Sequence, residues 1–396
     1  MFYLFVFLLI VIFSVLEVIN LQGKMTRIFP KIIAFLFLFI AGLRYETGVD
    51  WRIYTAMFES TPSIEEITDA YGRILIFSSP DYGYCLFISI IKYFNGSIQT
   101  VFFLISLVGY FFLYKSIVFF SQGKSTSLLL HFSLLFFILD MSGLRQGFAL
   151  AVFFYSIKFV CERNFLKYLA CIFFAASFHW SAYLLLPLYF VFRRRLSSIS
   201  LIVFFCISLL IFFLKISWLG LIITKIVPLI GDFSIAARLV IYSNYNSANL
   251  ERVLNANTII NVLFFIITFA LLINYRKELE KKNNFFNIFF NIYIFQIFTF
   301  FCMYEFIEMA DRLRLYFTIS NLIILPSLVY LFYTRIDRIM VFTYVVVFAF
   351  FSCKPYILNL PTTIAYHPYQ NYLIYQLFDL RSTGEERLNK HAEIHG

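Results

Sequence analysis

The sequence predicts an all-α, polytopic integral membrane protein with about twelve transmembrane helices, and three observations carry that expectation. First, 61% of the 396 residues are hydrophobic and only 14% are charged, with a mean hydropathy of +0.83. Soluble domains are near half apolar and a quarter charged. Second, apolar blocks recur along almost the whole chain at lengths that suit a hydrocarbon core, where membrane β-strands would show short alternating segments. Third, the middles of these blocks carry almost no charge, with Glu17 the main exception. Inside lipid only helices and closed barrels satisfy every backbone group, so helices are the spanning elements.

In order, the spans are read at 2–20, 28–43, 98–119, 125–141, 145–161, 165–178, 180–192, 197–214, 258–275, 284–303, 314–333 and 338–354. The stretch 82–95 is apolar but brief and carries Lys92, so it reads as a re-entrant or interfacial helix. Residues 1–380 then form a single transmembrane domain with two long outer segments, 44–97 and 215–257, followed by a polar C-terminal tail at 381–396. Both outer segments are too long for connectors and read as lids or binding loops. The first block lacks a basic n-region and a cleavage pattern, so it reads as a retained span. The 55 Phe and 27 Tyr read mostly as lipid-facing bulk and interfacial belts. The six cysteines show no CxxC pair and no Cys/His spacing, which predicts neither disulfides nor zinc.

A net charge of +10 invites a nucleic-acid reading, and its distribution removes it. Basic residues gather in alternate turns, at Lys24/Arg27/Lys31, Lys115/Lys124, Lys158/Arg163/Lys167, Arg193/Arg194/Arg195, Arg276/Lys277/Lys281/Lys282 and Arg335/Arg338. These turns hold 17 Lys and Arg against four acids, a net of +13, while the other face carries −2. The positive-inside rule therefore places both termini and both long segments outside the cytoplasm. The cytoplasmic turns are too short for a nucleotide-binding domain. No internal repeat is visible, so the inverted-repeat signature of many transporters is missing.

Gly123-Lys124-Ser125 resembles the end of a phosphate-binding loop, but the leading glycine it needs is Val118. No Asp-x-Asp pair occurs either, which removes the usual handle for a metal-bound nucleotide sugar. The expected chemistry uses no metal and no cofactor. It rests on four ionisable clusters at the predicted outer mouths. Arg44 and Asp50 flank Gly48, whose freedom at φ > 0 lets the chain turn back over one mouth, with Tyr54 following. Arg145 and Gln146 open a span, where exposed amides and a guanidinium fork suit phosphate oxygens; headgroup snorkelling is the alternative. His179 sits in a very short turn, as a base or a hydrogen-bonded structural group. Glu308, Asp311 and Arg312 would share a helix face, with Arg314 pointing elsewhere and Tyr316 beyond, as a salt-bridge network or as a base held among cations.

Taken in order, these clusters resemble the EpsG/Wzy-type family of O-antigen and capsular polysaccharide polymerases. The family's Arg-x-x-x-Gly-x-Asp-x-x-x-Tyr stretch is matched by Arg44, Gly48, Asp50 and Tyr54, with Val49 where the family has Thr. Arg145-Gln146, then Phe178, His179, Ser181 and Ala182, then Arg312, Tyr316 and Phe317 match its later motifs, and Pro368-Tyr369-Gln370 its tail. The resemblance implies a GT-C-like glycosyltransferase that polymerises repeat units carried on undecaprenyl pyrophosphate at the periplasmic face of a bacterial inner membrane. It implies the lipid-linked oligosaccharide, the bilayer and a chain-length regulator as partners. In that reading His179, Asp50, Asp311 and Glu308 are candidate catalytic groups, and Arg44, Tyr54, Arg145, Gln146, Arg312, Arg314 and Tyr316 bind substrate, with Arg44, Arg145 and Arg312 expected around one pyrophosphate. A lipid-linked oligosaccharide flippase or transporter, and an O-antigen ligase using the same donor, are the alternatives.

Overall fold

The computed structural model describes residues 1–19, 27–68, 76, 79–222 and 254–395. Most of the predicted outer segment 215–257 lies outside the described residues. In chain order the helices are α1 (Phe2–Ile19), α2 (Phe29–Gly42), α3 (Trp51–Ser60), α4 (Tyr82–Tyr93), α5 (Ile98–Phe120), α6 (Lys124–His131), α7 (Leu144–Cys161), α8 (Phe165–Phe178), α9 (Leu188–Phe192), α10 (Ser198–Phe213), α11 (Ala256–Asn274), α12 (Arg276–Lys282), α13 (Phe286–Ile297), α14 (Ile307–Phe317), α15 (Asn321–Val329), α16 (Arg335–Ile357), α17 (Tyr372–Phe378) and α18 (Gly384–His395). Helix α6 runs on as a π-helix over Phe132–Asp140, and α13 over Phe298–Cys302. Among the described residues there is no strand; one isolated bridge pairs Arg44 with Asn371.

The protein is a helical membrane protein. Among the described residues, six helices are long and apolar enough to cross a bilayer: Phe2–Ile19, Ile98–Phe120, Leu144–Cys161, Ala256–Asn274, Ile307–Val329 and Arg335–Ile357. Four shorter apolar helices accompany them, Phe29–Gly42, Phe165–Phe178, Ser198–Phe213 and Phe286–Cys302. The span expected at 180–192 is instead a 3-10 turn, Trp180–Leu185, followed by the five-residue α9. Pro187 lies between them and has no N–H to continue an α-helix. The span expected from 314 begins at Ile307, so the late charged cluster lies inside its first turns. Residues 381–396, read as a polar tail, are mostly helix α18.

The chain divides into two compact units, Met1–Phe190 with Asn321–Gly396, and Val191–Ser320. In the first, α1, α2, α5, α6, α7, α8 and α16 run between two chemically distinct ends. At one end the Glu17 carboxylate accepts from the amides of Lys124 (3.0 Å), Ser125 (2.9 Å) and Thr126 (3.4 Å). The phosphate-loop look-alike is thus a helix N-terminus already holding an anion from its own chain. Arg338, from the predicted basic face, lies at this same end and reaches Val18 O at 3.5 Å. At the other end Phe2 stacks on Tyr369 (4.7 Å), Tyr3 meets His367 edge-on (5.1 Å), and Arg44 meets Asp140.

Part of the aromatic excess is interior rather than lipid-facing. Phe37 nests against Phe132 and Phe136 at 5.7 and 5.2 Å, and Phe137 stacks on Tyr356 at 4.3 Å. These rings are large enough to fill the gaps between helices, and in lipid such packing substitutes for a hydrophobic driving force between them. Other rings, such as Phe5, Phe35 and Phe190, stay exposed on the helix surfaces.

In the second unit, α10, α11 and α13 close around Phe205 stacked on Phe269 (4.2 Å) and Phe265 against Phe300 (4.8 Å). Its basic turns are tied down by Arg276, which donates to Ser198 Oγ, Leu196 O and Glu280. Asn291 Nδ2 closes the same end by donating to the Phe192 and Arg194 carbonyls.

Candidate functional site

The first motif leaves α2 through Arg44, which is completely buried. Its guanidinium donates to Ala41 O (2.8 Å) and Asp140 O (3.0 Å) and lies 4.2 Å above the Phe102 ring. Nε and Nη2 have no hydrogen-bond partner. Burial lowers its pKa from the ordinary value, while Tyr54 and Tyr84 act in the opposite direction. Gly48 follows at φ +103°, and a Cβ there would fall 2.1 Å from Met141 O, so only glycine allows this approach. The loop is then pinned by Gly48 N to Ala365 O (3.0 Å) and Val49 N to Ser142 Oγ (3.1 Å). Ser142 belongs to the turn that precedes Arg145, so the first two motifs meet through the Val49 amide and the Ser142 hydroxyl.

A residue absent from the sequence-based list organises the centre. Asp81, only 2% exposed, immediately precedes α4 and receives Arg145 Nη1 on Oδ2. Its Oδ1 accepts from the Trp180 amide (3.0 Å), and His179 Nδ1 stands 3.7 Å from Oδ2. Both His179 ring nitrogens lack a hydrogen-bond partner, as does Arg145 Nε. Gly83 permits this convergence, because a Cβ on it would lie 2.3 Å from Ser177 Oγ in α8. Tyr54 and Tyr84 complete the cluster, each with its ring 5.8 Å from the Arg145 guanidinium carbon. Burial raises the pKa of both phenols, which keeps them as protonated donors, and the Tyr84 hydroxyl has no partner. Arg145 is the more open of the two arginines, its side chain 26% exposed against none for Arg44. Asp50 stands at the start of α3 and acts electrostatically on Tyr54 and Tyr366, and Gln146 is buried beside Arg145 in α7.

Beneath this lies a second polar group inside a segment read as an apolar span. Asp140 Oδ2 accepts from Tyr110 (2.5 Å) and lies 2.7 Å from His131 Nε2, beside a cavity of about 30 Å³. The π-helix that carries Asp140 departs from the register of an α-helix, and π turns recur at functional sites. Charge inside the spans is therefore not confined to Glu17.

The late motif lies in the second unit and is built differently. Glu308 and Arg312 are exposed on α14, and Tyr316 is fully buried. Arg314 does not point away from the acids: its Nε lies 3.2 Å from Asp311 Oδ1, an i,i+3 pair, with Phe300 5.5 Å from the guanidinium carbon. Glu305, not singled out in the sequence, is buried and accepts from Ser217 Oγ (2.6 Å) and the amides of Leu219 and Gly220.

The structure thus joins Arg44, Tyr54, Arg145, Gln146 and His179 in one unit and leaves Glu308, Asp311, Arg312, Arg314 and Tyr316 in the other. Asp81 escaped because it lies in a loop between motifs, although an acid directly before Tyr-Gly-Tyr at a helix start is a visible signal. His131 and Asp140 were legible as ionisable residues in an apolar run. A model of the EpsG family matches residues 27–373. No curated protein and no solved structure matches the chain.

Proposed function

Since the chain belongs to the EpsG family, we propose that it polymerises undecaprenyl-pyrophosphate-linked O-antigen or capsule repeat units by glycosyl transfer at the periplasmic face of a bacterial inner membrane. The observation that carries this is the Asp81–Arg145–His179 cluster, an anion-binding fork held by one buried carboxylate beside an imidazole whose ring nitrogens have no hydrogen-bond partner. Arg145 at the N-terminus of α7 takes the pyrophosphate, where helix amides and a planar fork both favour phosphate oxygens. Charge grows on that leaving group as the C1–O bond to pyrophosphate breaks, and fixed cations in a water-poor site stabilise it. The acceptor sugar hydroxyl forms the new C1–O bond and passes its proton to His179, whose ring nitrogens have no hydrogen-bond partner and whose Nδ1 faces Asp81 at 3.7 Å. Undecaprenyl pyrophosphate leaves.

The excess of basic residues on one set of turns supports the periplasmic assignment. We extend the reading to about twelve spans in a GT-C-like arrangement, counting the shorter apolar helices with the six long ones. A second reading, a lipid-linked oligosaccharide transporter, draws on the buried Tyr110–Asp140–His131 group. One experiment separates them. Purified protein incubated in detergent with lipid-linked repeat units, which leaves nothing to transport, is expected to yield a ladder of lengthened glycans; absence of any elongation with the correct donor overturns the polymerase reading.

A further inference from the structure

Helix α18 lies beyond the family-matched residues, yet its one buried arginine is inserted beneath the first family motif. Arg387 is 5% exposed and donates to four oxygens: Pro368 O (2.7 Å), Glu46 O (2.7 Å), Gln370 Oε1 (2.5 Å) and Thr383 O (3.3 Å). Two of these partners, Pro368 and Gln370, are the family's tail motif, and the third, Glu46, is two residues from Arg44. Around it, Ser382 Oγ donates to the Glu46 carboxylate, and Arg52 pairs with Glu385. Glu46 itself has φ +44°, a conformation that costs a non-glycine residue energy and persists only when its surroundings impose it. Gly384 allows the contact, because a Cβ there would lie 2.5 Å from Glu46 Cβ.

The same tail pairs with the site loop through its backbone. Tyr45 N donates to Gln370 O (2.9 Å), and Tyr372 N to Leu43 O (2.8 Å). Among the described residues no carboxylate is in hydrogen-bond contact with this guanidinium, and a charge buried among carbonyls is a costly arrangement to keep for packing alone, since an apolar residue avoids the desolvation. Its planar fork can instead hold three separate chain segments at fixed spacing.

We infer that Arg387 is a positioning residue: through Glu46 and Gln370 it fixes the Arg44–Tyr54 segment against the Arg145 cluster, so that α18 is a working part of the site. The consequence for turnover rests on the polymerase reading above, and the positioning itself does not. The test therefore has two arms on the full-length protein.

In the first arm, amide hydrogen exchange is compared between wild type, Arg387→Ala and Arg387→Lys. Arg387→Ala is expected to speed exchange at least tenfold over residues 43–50 and 365–372, with 144–178 unchanged. Arg387→Lys, whose ammonium still reaches the carbonyls, shows a smaller change. Gly384→Ala, which crowds Glu46 without removing any hydrogen-bonding group, gives the same pattern more weakly and serves if Arg387→Ala does not accumulate. Unchanged exchange over 43–50, or the same change from the exposed control Lys390→Ala, overturns the inference.

In the second arm, elongation of lipid-linked repeat units is timed. The expected result is a kcat at least tenfold lower for Arg387→Ala with KM for the donor within about twofold, because Asp81, Arg145 and His179 are untouched. Faster exchange with normal kcat overturns the role in the reaction. Faster exchange in a protein whose wild type elongates nothing sinks the polymerase reading and leaves the positioning standing.

Discussion

The two charged clusters of this protein, one in each unit, show how differently the same residue types can be used. Around Asp81 the partners come from two places far from it in sequence, Arg145 and the His179–Trp180 turn, the carboxylate is 3% exposed at its side chain, and Gly83 allows the close approach to α8. On α14 the Asp311–Arg314 pair is formed by neighbours on one helical turn, with side chains 36% and 25% exposed. The first arrangement needs the whole unit to exist before it can form. The Asp311–Arg314 pair forms with its helix. A cluster assembled from afar and left with free hydrogen-bonding atoms is the better mark of chemistry, because local pairs arise from helical spacing alone.

The contrast is sharpened most by Asp81→Ala. Losing the carboxylate leaves Arg145 without its partner and the Trp180 amide without an acceptor, and breaking a buried pair costs about 3–5 kcal/mol. A lower midpoint of thermal unfolding in detergent, together with abolished elongation, is the expected outcome. Arg145→Lys comes next: the protein stays folded, but a point charge cannot reproduce the fork. Losing a charge-assisted bond of ~1.5–3 kcal/mol slows transfer roughly ten- to hundredfold, visible as a shortened ladder at equal protein amount. Normal chains from Arg145→Lys would remove that residue from the site.

A pH measurement probes the neighbouring tail. Burial, with the N-terminus and Arg387 adding to it, pulls His367 from 6.5 down to about 4. A depressed histidine binds its proton in the unfolded state first, so its contribution is fully present above pH 6.5 and is lost as pH falls toward 4. Chemical denaturation of wild type over that window should show the decline, and His367→Gln should flatten it. The smallest effect belongs to the second unit. The coupling between Asp311 and Arg314 in a double-mutant cycle should be no more than about 0.5 kcal/mol, as for a partly exposed helical pair. A coupling on the scale of the Asp81→Ala loss would erase the distinction between the clusters.

What the sequence made legible follows from the range of the interactions involved. The apolar blocks reveal themselves locally, so most helices fall where hydropathy places them, and Arg44, Arg145 and His179 stand out as polar side chains at block ends. The interruption of 180–192 has a local sign in Pro187, but Asp81 capturing the Trp180 amide from a distant loop is a contact that no local window shows. Arg387 reads as one more charge in a polar tail, because its burial is created by Glu46 and Gln370 folding over it. The choice between a buried and a solvated role for a polar residue is made by tertiary partners, and those are what the pattern omits.

The carboxylate of Glu17 has a consequence for how the chain is made. Its three amide partners lie at Lys124 to Thr126, more than a hundred residues later. At about 5–20 residues per second, the ribosome delivers them roughly 5–20 s after α1. During that interval the first helix carries an acid it cannot bury without a large penalty. Helix α1 is therefore expected to keep its Glu17 end in contact with water until α6 arrives, so that the first helix to be synthesised docks only after α2 to α5 have followed it.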